Sequence, residues 1–287
     1  MFKFLEKKKS TSVAETSDNG EKGSDYTKYP ELRYNHGLIT RKLNTRPAYV
    51  WGVLCGVDLA RSLNYPEVSV IEFGVAGGNG LIELEKIAVE IESLYQVKIH
   101  VYGFDTGTGL PKPCDYRDLP QHWSAGHFKM DEKKLREQLQ RAHLVIGPVN
   151  ETIPAFIKSE MAPVAFASFD MDFYSSTASA FNLFTAEHSK LLPRIYCYFD
   201  DIFGFSYCDF NGERLAINEF NEKNSLTKIA KIHGLKYFCG VKDAMWPEQM
   251  FLVHLFNHEK YDLNDGMVQF DHILLGKGRH RSGNFKI

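Results

Sequence analysis

From about residue 47 onward, short apolar runs alternate with longer amphipathic ones. Residues 69–73 (SVIEF) predict a buried strand that runs into a glycine-rich turn. Residues 81–95 predict a helix, because Leu81, Leu84, Ile87, Ala88 and Ile91 recur at helical spacing. A second strand is predicted at 98–105 (KIHVYGFD), a helix at 131–142 with Asp131 as its cap, and a third strand at 143–147. The fourth strand, 164–170 (VAFASFD), leads into a predicted helix at 176–192, and the fifth strand covers 194–201 (RIYCYFDD). A further helix is predicted over 215–233, ending at Gly234, with two last strands at 236–241 and 249–256. Such alternation implies a mostly parallel sheet joined by right-handed crossovers. The short connection between the last two strands makes one of them antiparallel. The predicted fold class is therefore α/β: a doubly wound, mostly parallel seven-stranded sheet of Rossmann-like type with helices on both faces.

Residues 1–26 are rich in Lys, Ser, Glu, Gly and Asp and nearly devoid of large aliphatics, so they predict a disordered tail. With no internal repeat, the remainder predicts one domain at 27–260 and a C-terminal extension at 261–287. At 44% apolar and 24% charged, the 287-residue chain has the composition of a globular protein, which excludes a wholly disordered or fibrous one. Lys plus Arg (34) against Asp plus Glu (36) leaves a net charge of −2, so no global basic field is present and no nucleic acid partner is expected. No apolar run approaches 18 residues, so no membrane span is expected. Five scattered cysteines, Cys55, Cys114, Cys197, Cys208 and Cys239, form no CxxC pair and argue against a disulfide framework or a thiolate zinc site. They point to a reducing, cytoplasmic compartment.

In a doubly wound sheet the ligand sits at the carboxyl ends of the strands, so the residues that close each strand matter most. The first predicted strand runs into Glu72, Phe73, Gly74, Val75, Ala76, Gly77, Gly78, Asn79 and Gly80, a turn that lets backbone pass close under a ligand. The spacing is not that of the dinucleotide fingerprint, since Ala76 takes the place of its second glycine. Asp105 closes the second strand, 31 residues beyond Gly74, where it either accepts hydrogen bonds from a ribose or caps its own turn. Asp170 and Asp172 end the fourth strand, and Asp200 and Asp201 the fifth. Four carboxylates on one cleft rim repel each other, and a divalent cation with oxygen ligation, Mg²⁺ or Ca²⁺, is the simplest remedy. The alternative is that they act as helix caps and solvated charges. His122 and His127, in the loop before Asp131, are candidate general bases, or else ordinary loop residues.

The succession IEFGVAGGNG, YGFDTGTGLP, LVIGPVNETIP, FDMDFYSST and YFDDIFG, over about residues 45–240, resembles the class I S-adenosylmethionine-dependent methyltransferases. Within them it is most similar to the metal-dependent macrocin O-methyltransferase (TylF/MycF) group. The resemblance implies that Glu72, Gly74, Ala76 and Gly78 wrap the methionine end of S-adenosylmethionine. Asp105 would bind the ribose, and Val149 and Asn150 would lie by the adenine. It implies Mg²⁺ on Asp170, Asp200 and Asp201; from its place on the same strand end, Asp172 is expected to support the site without touching the ion. The acceptor would be a hydroxyl of a small molecule, often a sugar in these relatives, with a histidine available to take the proton. The segment 106–123 departs from the shorter, more acidic loop usual in the group. Two other readings stand beside this one. An NAD-dependent oxidoreductase would share the turn and Asp105 but has no use for four carboxylates, and a silent binding module would keep the fold without the chemistry. Assembly with further copies of the chain stays open.

Overall fold

A computed structural model describes residues 46–238 and 244–263; the tail expected at 1–26 and all but the first three residues of the expected extension lie outside the described residues. Seven strands form one sheet in the order β3-β2-β1-β4-β5-β7-β6. They are β1 (Glu67–Phe73), β2 (Lys98–Asp105), β3 (His143–Ile146), β4 (Val164–Phe169), β5 (Leu191–Phe199), β6 (Thr227–Lys231) and β7 (Met250–Leu255). The four pairings among β1 to β5 are parallel, and β7 inserts antiparallel between β5 and β6. This is the expected doubly wound, mostly parallel seven-stranded sheet of Rossmann-like type. Among the described residues, no helix is long and apolar enough to cross a membrane.

The helices are α1 (Pro47–Ser62), α2 (Asn79–Tyr95), α3 (Glu132–Gln138), α4 (Val149–Phe156), α5 (Tyr174–Ala180), α6 (Gly212–Lys223) and the short α7 (Leu235–Phe238). Helix α1 was not anticipated by the apolar spacing, because it is buried on nearly every side and carries no clear polar stripe. The helix expected at 176–192 shortens to α5 followed by 3₁₀ turns, and β5 begins at Leu191. Thr177, Ser179 and Thr185 bond back to carbonyls three or four residues earlier, which competes with a continuous helix.

The helix expected over 215–233 ends instead at Lys223, and residues 227–231 form the edge strand β6. Lys and Ala in TKIAK favour a helix locally, but pairing with β7 places Ile229 in the core with Lys228 and Lys231 half-buried along the strand. Asn221 covers the open edge of this strand, accepting from the Ile229 N–H and donating to its carbonyl, both at 2.8 Å. The strand expected at 236–241 is not formed where it is described, since 235–238 are helical and 239–243 lie outside the described residues.

Four phenylalanines, one from each central strand, form a row across the sheet at its C-terminal edge. Phe104, Phe73, Phe169 and Phe199 are register partners in turn, with ring centroids 5.1, 5.1 and 4.7 Å apart. Such pairs contribute about 0.5–1.5 kcal/mol each beyond burial. The residue after each phenylalanine stays on the ladder. Gly74 N–H donates to Phe104 O, Asp170 N–H to Phe73 O and Asp200 N–H to Phe169 O, each at 2.9 Å. The aromatic row thus holds Asp105, Gly74, Asp170 and Asp200 side by side as one rigid sill.

Candidate active site

Above this sill opens a cavity of about 940 Å³. Its wall includes Glu72, Gly74, Ala76, Asp105, Val149, Asn150, Asp170, Asp200 and Asp201 from the residues singled out in the sequence. Three others are placed elsewhere. Gly78, in the left-handed region at φ 88°, turns toward α3, and a Cβ there would stand 2.2 Å from Leu135 Cδ1. His122 and His127 are exposed and do not line the cavity; they pack around Trp123, with ring centroids 4.5 and 6.2 Å from it.

The Gly78 placement alters what a bulky substitution does. Gly78→Val is expected to destabilise the fold by about 1–3 kcal/mol through backbone strain and overpacking against Leu135. Urea denaturation checks this, and an unchanged midpoint would show that the turn faces the cavity after all.

Asp105 holds the turn together. Its Oδ2 accepts from the N–H groups of Val75 and Ala76, both at 2.9 Å, and its Oδ1 from Gly107 N–H at 2.6 Å. Of the two roles foreseen for it, the structure shows the capping one directly, and a carboxyl has lone-pair capacity left for a ligand hydroxyl. Glu72 lies beneath the turn with only 1% of its surface exposed. Its Oε1 accepts from the Tyr49 hydroxyl at 2.7 Å, while the buried Oε2 has no partner. A buried acceptor left unpaired costs about 1–3 kcal/mol. Burial pushes Glu72 up to about 7, and the Tyr49 hydrogen bond holds it from going higher.

On the other side the acids crowd. Burial first, and then the neighbouring Asp200 and Asp201, push Asp170 up to about 9. Burial and the same two neighbours push Asp172 up to about 8, and burial with Asp200 pushes Asp201 up to about 6. Asp201 is internally engaged: its Oδ2 accepts from Asp172 N–H at 2.9 Å and its Oδ1 from the Tyr207 hydroxyl at 3.1 Å. Asp200 Oδ1 accepts from the Tyr198 hydroxyl at 2.5 Å. Glu213, fully buried behind the pair, accepts from Asp201 N–H at 3.0 Å and keeps Oε1 unpaired. The oxygen donors suit a hard divalent cation. As they stand, however, no three acids among the described residues are gathered closely enough to hold one.

The loop from 106 to 131 forms the cavity's outer wall, contributing Lys112, Trp123 and Phe128. It is pinned rather than free. Asp118, wholly buried, accepts from Cys114 N–H, Ser175 N–H and the Ser175 hydroxyl, each at 2.8 Å. Trp123 Nε1–H donates to the Tyr207 hydroxyl at 3.3 Å, which links the loop to Asp201. Asp118→Ala is expected to remove about 2–4 kcal/mol of stability by orphaning buried donors. Hydrogen exchange should quicken across residues 110–128 in the same variant, and unchanged protection there would mean that Asp118 does not anchor the loop.

Sequence reasoning missed Arg46, Trp123, Phe128, Ser175 and Ser179, all of which line the cavity. Ser175 directly follows FDMDFY, with Ser179 one helical turn on, and both were legible from that neighbourhood. The aromatic pair adjoins the two histidines that drew attention instead.

No family model matches the chain, and neither does any curated protein. Solved structures similar to it include CalS11, the calicheamicin methyltransferase, at 19% identity over 69% of this chain and 86% of that one, with a TM-score of 0.44. The O-methyltransferase NovP is 16% identical over 72% of this chain and 79% of its own, with a TM-score of 0.49. An O-methyltransferase from Bacillus cereus in complex with SAH is 12% identical over 80% and 91%, with a TM-score of 0.38.

Proposed function

We propose that the chain is an S-adenosylmethionine-dependent O-methyltransferase of the macrocin O-methyltransferase kind, acting on a hydroxyl of a small molecule such as a sugar or polyol. One observation carries this reading: the phenylalanine sill delivers the glycine turn, Asp105 and the acids to the wall of one 940 Å³ cavity. That volume falls at the upper end of the range for small-molecule sites, about 300–1,000 Å³, and accommodates a nucleoside-sized cofactor beside an acceptor. The cofactor would lie over β1 and β2, with its methionine end at Glu72 and its adenine by Val149 and Asn150. The acceptor would lie between the acids and the pinned loop, with Ser175, Ser179 and Trp123 around it. Methyl transfer from a sulfonium requires the acceptor oxygen in line with the methyl group, so the chain's main contribution is positioning on a rigid floor.

In the full reading, Asp170, Asp200 and Asp201 would hold a Mg²⁺ ion once drawn together around it, and the ion would supply Lewis-acid polarisation of the acceptor oxygens. His122 and His127, exposed beside the loop that walls the cavity, are the histidines available to take the proton in this reading. Calorimetric titration with S-adenosylmethionine and with NAD, each with and without Mg²⁺, tests the assignment. Binding of S-adenosylmethionine alone is expected, and preferential binding of NAD would replace the reading with an oxidoreductase. Mass spectrometry of products from a panel of sugars, polyols and catechols then identifies the acceptor.

A further inference from the structure

Asp201 and Trp123 line the cavity, whereas Tyr207, which is bonded to both, does not. The Tyr207 hydroxyl accepts from Trp123 Nε1–H at 3.3 Å and donates to Asp201 Oδ1 at 3.1 Å. An indole N–H can only donate and a phenol has one proton to give, so the direction of this chain is fixed from Trp123 to Asp201. Asp201 Oδ2 accepts from the backbone N–H of Asp172 at 2.9 Å, and the two donors together set the plane of the carboxyl. The loop after β5 leaves a slot for the Tyr207 ring between two glycines in the positive-φ region. A Cβ at Gly204, at φ 133°, would stand 2.8 Å from Tyr207 Cδ2, and one at Gly212, at φ 54°, 3.3 Å from Tyr207 Cδ1. The residues on either side of Tyr207 are tied to one side chain. Asn211 Oδ1 accepts from Cys208 N–H and Asn211 Nδ2 donates to Ser206 O, both at 2.9 Å.

We propose that Tyr207 is a positioning residue through which the loop wall of the cavity sets the Asp201 carboxyl, so that an acceptor settling against Trp123 also orients Asp201. The role in turnover rests on the methyltransferase reading; the relay from Trp123 to Asp201 does not. Hydrogen bonds in series polarise one another, so a phenol that donates to a carboxylate accepts more strongly from the indole behind it. Trp123 is placed to feel an acceptor, since it lines the cavity and packs against Phe128, another wall residue, with ring centroids 5.5 Å apart. The competing account is a plain staple, in which Tyr207 holds the loop down and its two bonds are independent of each other. A relay carries a change at Asp201 to the Trp123 indole. A staple does not.

The test reads the indole N–H groups by nitrogen–proton correlation NMR on the full chain. Its three tryptophans, Trp51, Trp123 and Trp246, give three such signals, and Trp123 is identified by its loss in Trp123→Phe. In Asp201→Asn the new amide cannot accept at both positions: its carbonyl oxygen stays with the Asp172 N–H, and its NH₂ group turns to the Tyr207 hydroxyl, which loses its acceptor. The Trp123 proton is expected to move upfield and to exchange with solvent roughly 2- to 10-fold faster, while Trp51 and Trp246 stay in place. In a Tyr207→Phe background, where the ring still fills its slot, Asp201→Asn should leave the Trp123 signal unmoved. A Trp123 signal indifferent to Asp201→Asn, or one that moves equally with and without the Tyr207 hydroxyl, overturns the relay. If Asp201→Asn does not fold, the relay is read from its other end: Trp123→Phe should shift the Asp201 carboxyl carbon resonance in wild type but not in Tyr207→Phe, and no shift in wild type overturns it. In turnover of the acceptor found by mass spectrometry, Tyr207→Phe should lower kcat on the order of 10-fold, with S-adenosylmethionine affinity by calorimetry within about 2-fold. An unchanged kcat overturns the positioning role. A folded wild type that binds no S-adenosylmethionine overturns the methyltransferase reading, while the indole signal still decides the relay.

Discussion

Gly74→Val is expected to remove most of the protein's stability, at least about 4 kcal/mol in urea denaturation. Gly74 sits at φ 83°, in the left-handed region where a β-branched side chain is strongly strained. A Cβ at this position would stand 1.8 Å from the carbonyl oxygen of Asp170. That neighbour is backbone, and it cannot swing aside, because the Asp170 N–H is bonded to Phe73 O and the Gly74 N–H to Phe104 O. Relief requires β1 and β4 to part at the sill, which would unstack Phe73 from Phe169 and separate the glycine turn from the acids. Gly77 supplies the control. Nothing lies within 4 Å of its Cβ position, so Gly77→Ala should stay within about 0.5 kcal/mol of wild type. A Gly74→Val protein as stable as the Gly77→Ala one would mean that the two strand ends do not meet as described.

The second large effect is a loss of stability toward alkaline pH that a divalent cation reverses. Glu72, Asp172 and Asp170 are held at about 7, 8 and 9, with burial the leading cause in each. An acid whose pKa is higher in the folded state binds its proton more tightly there, so its contribution is complete below the unfolded value near 4 and is lost as pH rises through the folded value. In metal-free protein the melting temperature should therefore be lower at pH 9 than at pH 6, by at least about 5 °C. An ion bound among the acids stabilises the charged state that high pH creates, so millimolar Mg²⁺ should raise the melting temperature more at pH 9 than at pH 6. Asp170→Asn removes the most perturbed of these charges, should flatten the pH profile, and should cut methyl transfer on the order of 100-fold. A wild-type melting temperature that is level from pH 6 to pH 9, in chelator and in Mg²⁺ alike, would rule out both the repulsion and its remedy.

Much of the candidate site was legible because a short pattern repeats at the strand ends. Phe-Gly follows β1, and Phe-Asp follows or closes β2, β4 and β5, so in a parallel sheet in register the second residues must line up. What misled was local preference opposed by distant partners. TKIAK becomes a strand only because β7 lies beside it, and β7 reaches that place from more than twenty residues further along the chain. His122 and His127 carry the right chemistry for a base, yet the turns that pin their loop send Trp123 and Phe128 to the cavity instead.

Periodicity and composition by themselves determined an α/β domain with a mostly parallel sheet, a glycine turn after the first strand and carboxylates after the second, fourth and fifth. Each of these is written in neighbouring residues and needs only the geometry of strand and helix. The tertiary structure alone decided what those groups do. It spends Asp105 on the amides of Val75, Ala76 and Gly107, engages Asp201 with Asp172 and Tyr207, and buries Glu72 Oε2 without a partner. A carboxyl's role depends on burial and on donors brought from elsewhere in the chain, and neither is visible until the strands are side by side.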